Sequence, residues 1–269
     1  VSPGCSNALA VRAPLVAAIQ RPLRKALEET SSALALYLGQ ALANADEREM
    51  RLFAMPFLER SLGDDPERTW QLLRQMGARA GDWIEVDTLA GVWAQGVLAE
   101  PFRRAELDQL VYSGLAMERR LVGATLATLP HRVPKSRRVA LRGTASSHAF
   151  ELLRQLIGDA SPMVQKALSW AIREWSRVDA DGATALLREQ TAIAVEQHDG
   201  NRAWVVRDAL SSAPPELGAE LRSHLVGVRR DHHAISTSIA AGQTAAFASA
   251  VRAHGPAGQQ GDRYARSRP

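Results

Sequence analysis

The sequence predicts an all-α protein of stacked helix pairs, and three observations carry that expectation. Alanine, leucine, arginine and glutamate dominate the 269 residues while aromatics make up only 5%, a balance that favours helices over the β-branched and aromatic mixture of strands. From Arg21 to about Arg229 apolar residues recur at helical spacing, with hardly any period-2 alternation. The breaks are short and carry start signals: Asp64-Asp65-Pro66 and Ser161-Pro162 each set a capping oxygen before a proline at the first helical position.

In chain order the periodicity predicts helices over 21–44, 46–62 with a bend near Pro56, 65–79, 82–98, 104–115, 117–129, 147–158, 161–177, 182–196, 200–212 and 215–229. They group into pairs of ~40 residues that leave no room for strands, the pattern of a HEAT-like helical-repeat solenoid, an alpha-alpha superhelix. No clean sequence repeat fixes the period, so a compact helical bundle is the structural alternative. The segment from His131 to Arg142 interrupts the pattern with Pro134 and five cations, Arg132, Lys135, Arg137, Arg138 and Arg142, and no acid, which predicts an exposed basic loop. Beyond Arg229 the chain predicts one weak helix near 237–253 and then a disordered Gly/Gln/Arg/Pro tail of about fifteen residues. The chain thus divides into N-terminal helices at 1–45, a repeat domain at 46–229 and a weakly helical, then disordered tail at 230–269.

Composition narrows the function classes. With 46% apolar residues the chain can bury a substantial core. Cys5 is the only cysteine, which excludes an intrachain disulfide, paired-thiol redox chemistry and a multi-cysteine metal cluster. No run approaches the ~20 apolar residues of a membrane span, and Arg12 and Pro14 break the mildly apolar start. A cytoplasmic monomer without a membrane anchor is the expectation. The formal charge of +4 points to an acidic partner only if the cations gather on one face.

Three helices place residues on faces where they do not belong. In helix 161–177, Val164, Ala167, Leu168, Ala171, Ile172 and Trp175 form one apolar stripe, whereas Trp170 shares the opposite face with Lys166, Arg173 and Arg177. Such an indole is either covered by a neighbouring helix or is a platform of aromatic and basic groups for nucleic acid. In helix 117–129, Leu121, Val122, Thr125, Leu126 and Leu129 point inward, and Arg120 stands opposite, between Ala124 and Ala127. There it is an ordinary solvated arginine or one with clear access to a phosphate. Helix 82–98 buries Val86, Leu89, Ala90, Trp93 and Val97, with Trp83 and Asp87 one turn apart at the stripe's border. Asp87 either pairs with a neighbouring cation or is a preorganised charge facing a developing cation in a substrate.

These residues together resemble the AlkD-like DNA-alkylation repair family, monofunctional glycosylases built from HEAT-like repeats. The resemblance spans roughly 46–212 and is carried by three stretches. The first is Gly81-Asp82-Trp83-Ile84-Glu85-Val86-Asp87, which contains the Trp-x-x-x-Asp element; the second is Glu118-Arg119-Arg120; the third and most specific runs from Val164 through Trp170 to Glu174. It implies Asp87 as the catalytic carboxylate, Trp83 and Trp170 as indoles flanking the sugar and backbone of the lesion, and Arg120 and Arg173 as DNA contacts, to which Lys166 adds a phosphate-binding cation. The implied partner is duplex DNA containing alkylated bases, approached from its backbone without a base-reading pocket, and the implied chemistry needs no metal or organic cofactor.

Two rivals stand beside this reading: a HEAT-like DNA-binding protein without catalysis, and a scaffold whose concave face binds protein. Asp179-Ala-Asp181-Gly182 lacks the later ligands of a calcium loop and reads as a helix-ending turn. The seven histidines show no metal-binding spacing, and neither a glycine-rich phosphate loop nor a G-x-S-x-G elbow is present.

Overall fold

The computed structural model describes residues 13–231 and 233–254, and among these residues the regular structure is helical, without a strand. The helices are α1 (Ala13–Ala26), α2 (Ser32–Ala43), α3 (Arg48–Ser61), α4 (Pro66–Arg79), α5 (Trp83–Ala99), α6 (Arg104–Leu110), α7 (Ala116–Thr128), α8 (Thr144–Leu156), α9 (Pro162–Ser176), α10 (Ala180–Glu196), α11 (Gly200–Ala209), α12 (Pro215–His224) and α13 (Ile239–His254). No described helix is long and apolar enough to cross a membrane.

The odd-numbered helices α1 to α11 lie side by side as one layer, and the even-numbered helices pack behind them as a second row. A single apolar core runs between the rows, from Leu58 and Trp70 through Trp93, Leu121 and Trp175 to Leu187 and Val206. Successive turns of α7 meet α9 in the same chain order: Arg120 at Met163, Gly123 at Ala167 and Leu126 at Trp175. Neighbours in the front layer therefore run parallel, as a stack of helical hairpins requires. The repeat that the sequence hides shows in side-chain partners 32 to 36 residues apart: Arg48 with Asp82, Arg51 with Glu85, Asp87 with Arg120, Gln165 with Asn201, Arg154 with Glu189 and Arg188 with Glu220.

Three expectations about the elements change. The helix predicted over 21–44 is two helices, because the Ser31 hydroxyl accepts from the Leu34 amide and caps a new start after the turn at 27–30. The helix predicted over 104–115 ends at Leu110 and is preceded by a 3-10 turn at Pro101–Arg103. The basic segment is largely exposed, as expected, but is two 3-10 turns rather than a loop, Leu129–Arg132 and Lys135–Leu141, pinned by the buried Leu141 and by Arg142 donating to the Val178 carbonyl at 2.6 Å. Asp179 accepts from the Gly182 amide and caps α10, so the acidic turn is a helix start.

After α12 the chain returns across the open flank of α11. Thr237 donates its amide to the Gly158 carbonyl and its hydroxyl to Asp199, Arg202 donates to the Thr237 carbonyl at 3.3 Å, and Arg207 donates to the carbonyls of Leu225 and Val228 at 2.6 and 2.7 Å. Helix α13 realises the weak helix expected near 237–253 and packs on α8. The disorder expected for the last fifteen or so residues lies outside the described residues.

Candidate nucleic-acid interface

The site begins at the N-terminus of α5. Asp82 caps it by accepting from the Ile84 and Glu85 amides at 2.9 and 3.0 Å, which sets Trp83 on the first turn and Asp87 one turn later on the same face. The Trp83 side chain is unusual for its size, standing 49% exposed. The flanking acids are held from α3: Arg48 donates to Asp82 at 3.0 Å, and Arg51 donates to Glu85 at 2.7 Å. The Arg48 guanidinium is pushed still higher in pKa by its bonds to Asp82 and Glu49.

Asp87 is engaged from α7. Arg120 donates Nε to Oδ1 at 3.0 Å and Nη2 to Oδ2 at 2.8 Å, a two-point fork, and its Nη1 donates to the Met163 carbonyl of α9 at 2.5 Å. The same guanidinium lies 6.0 Å from the Trp83 ring centroid. One arginine thus ties three consecutive front-layer helices together beneath an exposed indole. Burial pushes the Asp87 carboxyl above its ordinary pKa, against the pull of Arg120, with Asp82 adding to the rise.

This corrects the expected placement of Arg120. It is neither solvated nor open to a phosphate; it is 5% exposed and occupied on all three donor edges. Periodicity alone gives α7 one buried side, whereas α5 and α9 flank it in the layer and the rear row covers it. Ala124 and Ala127 are accordingly buried along with the inward stripe. For Asp87, the alternative of a pairing cation is the arrangement found.

On α9, the predicted stripe from Val164 to Trp175 is buried. Lys166 is exposed. Trp170 is half-buried against the core, between the two alternatives set for it. Arg173 is not free, because Asp208 on α11 accepts from it at 2.6 Å and from the Ser169 hydroxyl at 2.6 Å. Trp83, Asp87 and Arg120 form one cluster; the Arg120 bond to Met163 joins it to the face of α9 on which Met163, Lys166 and Trp170 recur at i, i+3 and i+7. Arg173 belongs to the next junction along.

Sequence reasoning missed Arg48, Arg51, Asp208 and the Met163 carbonyl. A signal for the charged ones was present: once the repeat length is known, an opposite charge one repeat further on marks each pair, as in Arg48 with Asp82 and Arg173 with Asp208. The larger cavities open elsewhere, one of about 420 Å³ lined by Gln71, Arg74, Trp93 and Glu118, another of about 420 Å³ between α2 and α4. Around Trp83 and Asp87 the arrangement offers an exposed aromatic face above a fixed, partly desolvated carboxylate, which suits a cationic ligand pressed onto a surface.

The profile of the family described as DNA alkylation repair enzyme matches residues 6–212. The match begins well before residue 46, where the resemblance read from the sequence starts, and takes in α1 and α2. No curated protein and no solved structure matches the chain significantly.

Proposed function

This chain belongs to the DNA alkylation repair enzyme family, and on that premise we propose that it is a DNA glycosylase of base-excision repair, releasing positively charged N3- or N7-alkylated purines from duplex DNA. The observation that supports this most is Asp87, whose carboxylate Arg120 fixes by a two-point fork next to the half-exposed Trp83 indole.

An alkylated purine carrying a positive charge leaves with the electron pair of its glycosidic bond and departs neutral. The remaining barrier is the positive charge that develops on the deoxyribose. A carboxylate already in place stabilises that charge without reorganisation, and it orients the water that attacks C1′ and releases a proton to solvent. Asp87 carries both tasks. Trp83 and Trp170 present electron-rich faces to the cationic lesion and sugar, each contributing on the order of 1 kcal/mol. Lys166 neutralises a phosphate, and Arg173 does so by exchanging its bond to Asp208. Arg120 acts from below, as the group that sets the Asp87 oxygens. The repeat unit at 46–229 carries the site, and the protein works as a cytoplasmic monomer.

The test is release of free N3-methyladenine and N7-methylguanine from methylated duplex DNA. Parental protein should release both, and Asp87→Asn, checked for folding by thermal unfolding, should lose release by two orders of magnitude or more. A folded Asp87→Asn protein that excises at the parental rate removes Asp87 from the mechanism. One observation favours a second reading, a DNA-binding member without catalysis: the charge of Asp87 is opposed at close range by Arg120. Parental protein that binds methylated duplex and releases no base would establish it.

A further inference from the structure

The cations of the front-layer helices are largely spent on internal partners. Arg48, Arg51, Arg119, Arg120 and Arg173 each hold a carboxylate. Lys135 and Arg137, by contrast, are exposed, and no described residue partners either side chain. They sit on the basic strap formed by the two 3-10 turns after α7, and the question is where that strap lies.

Two anchors place it. Gly91 follows Trp83 and Asp87 on one stripe of α5, at i, i+4 and i+8, and the Arg132 guanidinium lies directly on it, where a Cβ would collide. Glycine inside a helix costs about 1 kcal/mol relative to alanine; here its missing side chain is the seat of Arg132. From that seat Arg132 reaches over α5 to Glu59 of α3 at 2.9 Å, a carboxylate it shares with Arg24. On the other side His131 contacts Glu174 of α9 at 2.9 Å, one turn beyond Trp170 on the same face. At its start, therefore, the strap spans the front layer through two side chains, Arg132 one turn past Asp87 on α5 and His131 one turn past Trp170 on α9. Lys135 and Arg137 follow Arg132 by three and five residues, within ~18 Å by chain reach. That is about half a turn of duplex, which rises ~34–36 Å per turn.

We propose that this strap is a second DNA contact, in which Lys135 and Arg137 bind backbone phosphates beside the lesion while Arg132, seated on Gly91 and moored to Glu59, holds them in place. The inference rests on the glycosylase reading for its ligand and assigns that site its phosphate clamp. The helices supply the indoles and the carboxylate, and the strap supplies, in Lys135 and Arg137, charge that no described acid cancels.

The 269-residue chain is titrated with a 25-base-pair duplex carrying one N7-methylguanine and with its unmodified counterpart, over a series of salt concentrations. Lys135→Gln/Arg137→Gln, both surface changes, should weaken binding to both duplexes by about ten- to fiftyfold at 0.1 M salt and reduce the slope of log K against log salt by about two, one for each phosphate contact. Arg132→Gln should weaken binding severalfold and leave that slope unchanged, because the two contacts persist and only their mooring is lost. A double variant with parental affinity and slope overturns the clamp while leaving the glycosylase reading intact. Parental protein that binds neither duplex at low salt overturns both.

Discussion

Asp87 is a carboxylate under two opposed influences, and its titration tests which of them the reaction feels. Burial raises its pKa and Arg120 lowers it, with burial the larger. The ionised form is the one that stabilises a developing cation, so excision should fall as pH drops, with an acid limb above the ordinary aspartate range of about 3.9. A single-turnover profile that stays flat down to that range would remove Asp87 ionisation from the rate. The same sign bears on folding: a value raised in the folded state means that ionised Asp87 costs stability at neutral pH, a cost relieved only as the group protonates. Arg120→Gln leaves the desolvated carboxylate without its partner. It should lower stability by about 2–4 kcal/mol, read by thermal or urea unfolding, and move the acid limb to still higher pH.

Among the elements, α7 shows how far a single helix can be read from its own periodicity. Its inward stripe from Leu121 to Leu129 was legible, because apolar spacing reports the side facing the core. The burial of Arg120 was not, because spacing says nothing of lateral neighbours, and a helix inside a layer has three covered sides. The α7–α9 contact depends on Gly123, where a Cβ would stand 2.9 Å from the Ala167 Cβ and 3.1 Å from its carbonyl carbon. Gly123→Ala should therefore cost about 1–3 kcal/mol despite its better helix propensity. It should also loosen the Arg120 bond to Met163, a shift that unfolding measurements and the pH profile of excision would both register. A variant as stable as the parent would mean that the two helices slide apart at little cost.

At the scale of the whole molecule, the solenoid class and nearly every helix were legible from periodicity and from the prolines that open α4 and α9, although neither Asp65 nor Ser161 makes the side-chain capping bond expected of it. The repeat length was legible only as the ~40-residue size of a helix pair, since its register lives in partner spacing rather than in recurring residues. Of the site, Trp83 and Asp87 were legible as misplaced side chains at a stripe border, and Trp170 as an indole among cations. The carboxylates that occupy Arg48, Arg51 and Arg173 were invisible for the same reason as the repeat. The strap was legible as charge and not as architecture, because its seat is an absent side chain on another helix, Gly91.

A stack of parallel helices has no natural last member: whatever groove accepts one hairpin would accept the next, including one from another molecule. The polypeptide that doubles back over α11 and fastens to Gly158, Asp199 and Arg202 occupies that berth with its own backbone. By covering that flank, the segment 229–238 serves the described stack as a cap, the part that terminal repeats play in solenoids.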